Sequence, residues 1–349
     1  MFPTTVIGSL PRPEWVRQLI LERKAGALSE AEADGILDGA IESAILLQER
    51  AGLEEITDGE WRRESYVKVF AERVRGFRPD LTVSGLPYPA VVEPIEYHRP
   101  IAAEEVRFLR SRTGRRVKAT IPGPYTIGRR MWHEEHSREA YPHPSDLMRA
   151  CAPVLRQEIE LLKEAGADTV QLDEPWLCVL VDPAKRAEDG IEDMQAEIDL
   201  CVEVVNATLE GVTGITTGLH LCHAHFDHRH GSEGALDPIM SGLARISVDV
   251  VSLELATPVS GGMGCLASFP KDARLGLGCI DHCDREIETP ELVASRVEEA
   301  MKYVDKERIL LHPDCGFSPS VQNPMDLDEA YLKLKAMCLG AELLRSRHG

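Results

Sequence analysis

Short β-like runs alternate with long helix-period stretches along nearly the whole 349-residue sequence. The runs are Thr4–Ser9, Glu54–Asp58, Val117–Ile121, Thr169–Leu172, Gly218–Cys222, Val250–Glu254, Leu275–Ile280 and Ile309–His312. Helical periodicity fills most of the gaps between them. Leu28–Ala51 opens on Ser29 as an N-cap, Ser145–Ala165 closes at Gly166, and Pro290–Val304 follows a Thr289 cap with proline at the first helical position. Strand–helix units in this series predict an α/β fold, a single (β/α)8 TIM-type barrel, with residues 1–349 forming one catalytic barrel. Residues 63–112 do not fit a plain strand-to-helix loop. Alternating polar and apolar residues around Phe77–Val92 and a turn signal at Gly85–Pro87 predict a hairpin-like excursion inserted after the second strand.

Charge narrows the function classes. With 58 acidic against 39 basic residues, the formal net charge is -19. Such a surface repels nucleic acid and anionic membranes, so neither is an expected partner. No stretch approaches the roughly 20 apolar residues that span a bilayer. The opening MFPTTVIGSLPRPEW lacks the basic and apolar regions of a signal peptide, which places the expected location in the cytoplasm. Nine scattered cysteines in that setting are thiols rather than a disulfide framework.

Barrels place their chemistry where strands end and loops begin. His220 and Cys222 lie two apart on one predicted strand, so they share a face with Cα atoms about 6–7 Å apart. An imidazole and a thiolate so placed can share one zinc ion at about 2.0–2.3 Å. Cys315 ends a later strand and Glu254 ends the strand between, which completes a set of His220, Cys222, Glu254 and Cys315 around Zn2+. Zinc carrying two thiolates and a carboxylate is a poor activator of water. It is well suited to lowering the pKa of a substrate thiol, with Glu254 as the displaceable ligand.

The motifs IGSLPRP, DGE, PGP-T, QLDEP, HLC, SLE and HPDCG occur in this order over nearly the whole chain. In this they resemble the C-terminal catalytic barrel of cobalamin-independent methionine synthases. The resemblance implies methyl transfer to the thiol of homocysteine, with zinc on His220, Cys222, Glu254 and Cys315. It also implies a homocysteine site formed by Ile7, Gly8 and Ser9 with Glu60 and Asp173. The residues read the same way on their own chemistry. Glu60 and Asp173 suit an ammonium group, and the backbone N–H groups of the Gly8–Ser9 turn suit a carboxylate.

Departures from the family cluster on the methyl donor. The accessory N-terminal barrel of long members is missing. Arg130 stands where the family has a folate-binding Trp, with Trp132 close enough to substitute. Val179 replaces a folate-contacting Glu. Cys283 replaces the proton-donating His, with His282 adjacent as the remaining candidate acid. The expected donor is therefore methylcobalamin or a methylated corrinoid protein, with 5-methyltetrahydrofolate as the alternative. The tract His223–His230 follows the zinc motif directly and either holds a second metal or shapes the site and neutralises anionic groups. Two other functions are compatible with the pattern. One is alkylation of another thiol such as coenzyme M, against which Glu60 and Asp173 argue by repelling its sulfonate. The other is a non-catalytic zinc-binding barrel.

Overall fold

The computed structural model describes residues 1–82, 88–226, 228–318 and 325–349. Its strands are β1 (Glu55–Ile56), β2 (Val74–Thr82), β3 (Pro89–Tyr97), β4 (Arg116–Pro122), β5 (Thr169–Asp173), β6 (Thr216–Leu221), β7 (His225–Phe226), β8 (Arg229–His230), β9 (Val250–Leu253), β10 (Arg274–Ile280) and β11 (Ile309–Pro313). Seven of them form one parallel sheet in the order β1-β4-β5-β6-β9-β10-β11. Strand order follows chain order, so consecutive strands of the sheet lie side by side. The sheet curls in the manner of a TIM-type barrel. Every residue of β5, β9 and β11 is buried, the near-continuous burial of strands covered on both faces.

The N-terminal segment lies between the two outer strands. Thr5 donates its N–H to the Leu311 carbonyl at 2.9 Å, while the Thr4 carbonyl accepts from Glu54 and Glu55, each at 3.1 Å. The strand expected over Thr4–Ser9 is thus a single bridge, Thr4 to Leu311. Beyond it the chain leaves the ladder, and the Ile7 carbonyl accepts from the Gln171 side chain at 3.0 Å instead.

Helix ends follow their sequence signals. Ser29 and Glu32 form a capping box on the helix Glu30–Ala51, which stops at Gly52 with φ 104°. Thr289 caps Pro290–Ala300 by accepting from the Leu292 N–H at 3.2 Å. The short helix Pro124–Met131 is fixed differently. Glu174, immediately after β5, accepts from the N–H groups of Tyr125 and Thr126 at 2.8 and 2.7 Å, and from the Thr126 hydroxyl at 2.6 Å. A carboxylate there satisfies orphan donors at the positive end of the helix.

Strands β2 and β3 pair as an antiparallel ribbon outside the parallel sheet, with Val74 opposite Tyr97 and Thr82 opposite Pro89. The turn signal at Gly85–Pro87 lies outside the described residues. No helix among the described residues is long and apolar enough to cross a membrane.

Candidate active site at the strand ends

Parallel register brings the C-terminal strand ends to one mouth. Asp173 pairs with His220, and His220 pairs with Ser252. Cys222, Glu254 and Cys315 follow β6, β9 and β11 within two residues. The structure gathers three of the four expected ligands. One ligand atom each from His220, Cys222 and Cys315 lies within 4.8 Å of the others, and all three residues are buried. The two sulfurs are 3.3 Å apart, yet both thiols are free. A hydrogen bond from Cys315, helped by His220 and opposed by burial, holds the Cys222 thiol well below its ordinary range. The same bond, with burial, pushes Cys315 up. Neither ring nitrogen of His220 has a hydrogen-bond partner among the described residues. A buried imidazole left unsatisfied beside a thiol–thiolate pair is a nitrogen–sulfur donor set that fits a tetrahedral metal such as zinc.

Glu254 is fully buried one step away. Its Oε2 accepts from the His223 N–H at 2.8 Å and lies 3.3 Å from His223 Nδ1 and 3.2 Å from His225 Nε2. His230 Nδ1 is 2.8 Å from Oε1. Against the effect of burial, these histidines hold the carboxyl well below its ordinary range. The carboxylate remains within 4.8 Å of Cys222 Sγ, so it borders the sulfur site while facing the histidines. Asp314 fixes the backbone that carries it, accepting from the N–H groups of Leu255 and Ala256 at 3.1 and 3.0 Å.

The expected amino-acid pocket is assembled on the same mouth. Glu60 adopts φ 59°, a left-handed conformation that is rare outside glycine. Its Oε1 accepts from the Thr120 hydroxyl at 2.7 Å, and its Oε2 is buried without a partner among the described residues. Gly8 packs so closely that a Cβ there would fall 2.4 Å from Glu60 Oε1. Arg12 ties the parts together by donating to the Glu60 carbonyl at 2.7 Å and the Ser318 carbonyl at 2.6 Å. Ser9 joins the Cys315 loop: its carbonyl accepts from Phe317 at 3.0 Å and its hydroxyl accepts from the Ser318 N–H at 3.2 Å. Neither the Gly8 nor the Ser9 N–H has a partner among the described residues. Asp173 accepts from Gln171 at 2.7 Å, and burial chiefly raises its carboxyl to about 7.

Arg130 stacks over the Trp176 ring at 3.5 Å and the Tyr88 ring at 4.8 Å from the centroids. It makes no ion pair with a carboxylate among the described residues, whereas its neighbour Arg129 pairs with Glu197 at 2.6 Å. Trp132 commits its indole N–H to the Tyr141 carbonyl at 2.8 Å. His282 is buried, with Nδ1 unpartnered among the described residues and Nε2 3.7 Å from Cys283 Sγ. Burial first, then His225, keeps it well below the ordinary histidine range. Sequence reasoning missed Trp176 and Tyr66. Burial, with Tyr88 and Cys222 nearby, pushes the Tyr66 phenol well up, so it stays a neutral hydroxyl. The only sequence signal for Trp176 is its place directly after Asp-Glu-Pro.

Comparisons with known proteins identify the family. Residues 2–342 match the family model described as cobalamin-independent synthase, catalytic domain. The chain is 32% identical to a methionine synthase of Sulfurisphaera tokodaii, over 99% of this chain and 93% of that protein. It is 33% identical to a methionine synthase of Saccharolobus solfataricus, over 99% and 95%. A B12-independent methionine synthase from a Shewanella species, solved with selenomethionine, superposes with a TM-score of 0.80 at 24% identity, covering 99% of this chain and 98% of that one. This chain belongs to the cobalamin-independent synthase catalytic-domain family.

Proposed function

We propose that the protein methylates the thiol of homocysteine to give methionine, with residues 1–349 acting as one catalytic barrel in which the segment around Thr4 takes the eighth strand position. One observation carries this reading. Among the described residues, an unsatisfied imidazole and a sulfur pair stand beside two buried carboxylates and two backbone N–H groups without a partner. Glu60 and Asp173 bind the substrate ammonium, and the Gly8 and Ser9 N–H groups bind its carboxylate. That anchors the amino-acid end and delivers the thiol to the sulfur site. His220, Cys222 and Cys315 would hold a zinc ion, with Glu254 as the exchangeable ligand, and the ion would lower the pKa of that thiol and so provide a thiolate nucleophile at neutral pH. The buried walls exclude water, which would otherwise solvate the thiolate and blunt its attack.

The donor we infer is a methylcorrinoid, free or carried on a protein, arriving and leaving as a substrate. The substrate sulfur attacks the methyl carbon, the carbon–cobalt bond breaks, and the electron pair stays on cobalt. No proton is needed by that leaving group. A folate amine must be protonated as it leaves, and therefore needs a positioned acid. What supports the corrinoid is the state of the groups that would serve folate. His282 is buried and held neutral. Cys283 faces His225 and His282, with its sulfur 3.6 and 3.7 Å from their ring nitrogens. Val179 is buried, and the Trp132 N–H is already committed. Arg130 on its aromatic platform is left to take an anionic group of the donor.

The test is methionine formation from homocysteine with methylcobalamin, a methylated corrinoid protein, and mono- and polyglutamyl methyltetrahydrofolate at equal concentration. Turnover with a corrinoid and none with folate is expected. Turnover with folate alone, lost in His282→Ala, would reverse the donor assignment. No methionine from any donor would remove the proposed activity.

A further inference from the structure

The histidine tract beyond Cys222 has its own geometry. Strands β7 and β8 form a tight antiparallel ribbon with His225 opposite His230. Two left-handed residues, Ala224 at φ 51° and His228 at φ 56°, fold the chain back on itself. The ribbon sets the His225 and His230 rings 4.9 Å apart. The loop after β10 then brings the His282 ring to 3.7 Å from that of His225, edge to face at 90°. Cys283 Sγ lies 3.6 Å from His225 Nδ1 and 3.7 Å from His282 Nε2.

These contacts differ from those of a packing histidine. His223, in the same tract, is satisfied on both nitrogens, by Glu254 and by the Gly234 carbonyl at 2.9 Å. His225 keeps its Nε2 on Glu254 at 3.2 Å, while His225 Nδ1 and His282 Nε2 both turn toward one sulfur, at distances longer than ordinary hydrogen bonds among nitrogen and oxygen. One ligand atom from each of His225, His282 and Cys283 lies within 4.8 Å of the others. The His225 side chain is only 2% exposed, and His282 Nδ1 is buried with no hydrogen-bond partner among the described residues. His225 also belongs to a second close group with Cys222 and Glu254. His225 and Glu254 therefore stand between this cluster and the sulfur site.

We propose that His225, His282 and Cys283 bind a second metal ion of the zinc class, adjacent to the His220–Cys222–Cys315 site, with Glu254 between the two. Two imidazoles and a thiolate suit a borderline-soft ion and not calcium or magnesium, which take oxygen ligands. Three protein ligands leave a position open, the mark of a site that receives a substrate group or an exchangeable carboxylate. The formal charges also balance. Thiolates from Cys222, Cys283 and Cys315 with the Glu254 carboxylate offer four negative charges in one buried region, matched by two dications.

The test uses the full-length protein, loaded with zinc, freed of excess metal and analysed for zinc per chain. Two equivalents are expected in the wild type. One is expected to remain in Cys283→Ser, in His282→Ala and in Cys222→Ser. Cobalt(II) loading gives an independent readout: the sulfur-to-cobalt absorption should weaken without vanishing in Cys283→Ser. One zinc in the wild type, lost in Cys222→Ser and retained in Cys283→Ser and His282→Ala, overturns the second site and leaves the proposed methyl transfer standing. One zinc lost in Cys283→Ser but retained in both Cys222→Ser and Cys315→Ser supports the second site and overturns the thiol-activating one.

Discussion

Cys222 and Cys315, 93 residues apart in the chain, hold their sulfurs 3.3 Å apart beneath His220 as free thiols. Each is delivered by the C-terminal end of a different parallel strand, β6 and β11, so the pair exists only when the sheet has curled. If the pair binds zinc, Cys222→Ser and Cys315→Ser should each strip the ion of that site and lower turnover by more than about 100-fold. Cys151 and Cys201, buried in helices away from the mouth, should tolerate Ala with metal content unchanged. Metal analysis of the purified variants checks this, and full loading of that site in both serine variants would discard the ligand assignment.

Glu60 Oε2 is buried and has no partner among the described residues, which leaves it free for the proposed bond to the substrate ammonium. A hydrogen bond to a charged group contributes about 1.5–3 kcal/mol, so Glu60→Gln should raise the KM for homocysteine roughly 10- to 100-fold. Zinc content should not change. If simple thiols without an amine react as well as homocysteine in the wild type, the pocket is misassigned.

Gly8 matters through space rather than through a positive φ. A methyl group at this position would sit 2.4 Å from Glu60 Oε1 and 3.1 Å from Thr120 Cγ2. Gly8→Ala should therefore push Glu60 aside and abolish measurable homocysteine binding while the metal stays bound. Calorimetric titration with homocysteine measures it; unchanged affinity would count against the tight Gly8–Glu60 contact.

Burial raises the Glu174 carboxyl to about 7, opposed by its bonds to Thr126 and Tyr125. The folded value lies above the ordinary 4.5, so the native state keeps a proton that the unfolded chain has already lost. Stability should accordingly fall as pH rises from about 4.5 to about 7 and level off above that. Glu174→Gln should flatten this component while costing about 1–3 kcal/mol at every pH through its lost acceptor. Melting temperatures of the two proteins across that range give the comparison, and parallel curves would exclude Glu174 as the source.

Arg130 is a cation on an aromatic platform with no ion pair among the described residues. Arg130→Ala should raise the KM for the methyl donor about 10-fold and leave that for homocysteine unchanged. An equal rise in both constants would show that Arg130 supports the pocket as a whole.

The order of elements was legible from one dimension because local physics writes it there. Ser29, Thr289 and Gly52 mark helix ends through bonds and dihedrals made within a few residues. The short β-like runs of β4, β5 and β11 are buried along nearly their whole length. His220 and Cys222 could be paired from sequence since a strand fixes the direction of residues two apart. Other features needed the third dimension. The Thr4–Ser9 run reads as a strand, yet its continuation is decided by Gln171, which captures the Ile7 carbonyl from across the barrel. Glu254 reads as a fourth ligand by position; that its carboxylate also meets histidines contributed by a ribbon with two left-handed residues is not written locally. Trp176 under Arg130, and Cys283 against His225, join elements far apart in the chain. Local sequence sets which way a side chain leaves its own strand. Which partner it meets depends on how distant segments pack, and here that packing places the histidine cluster against the sulfur site.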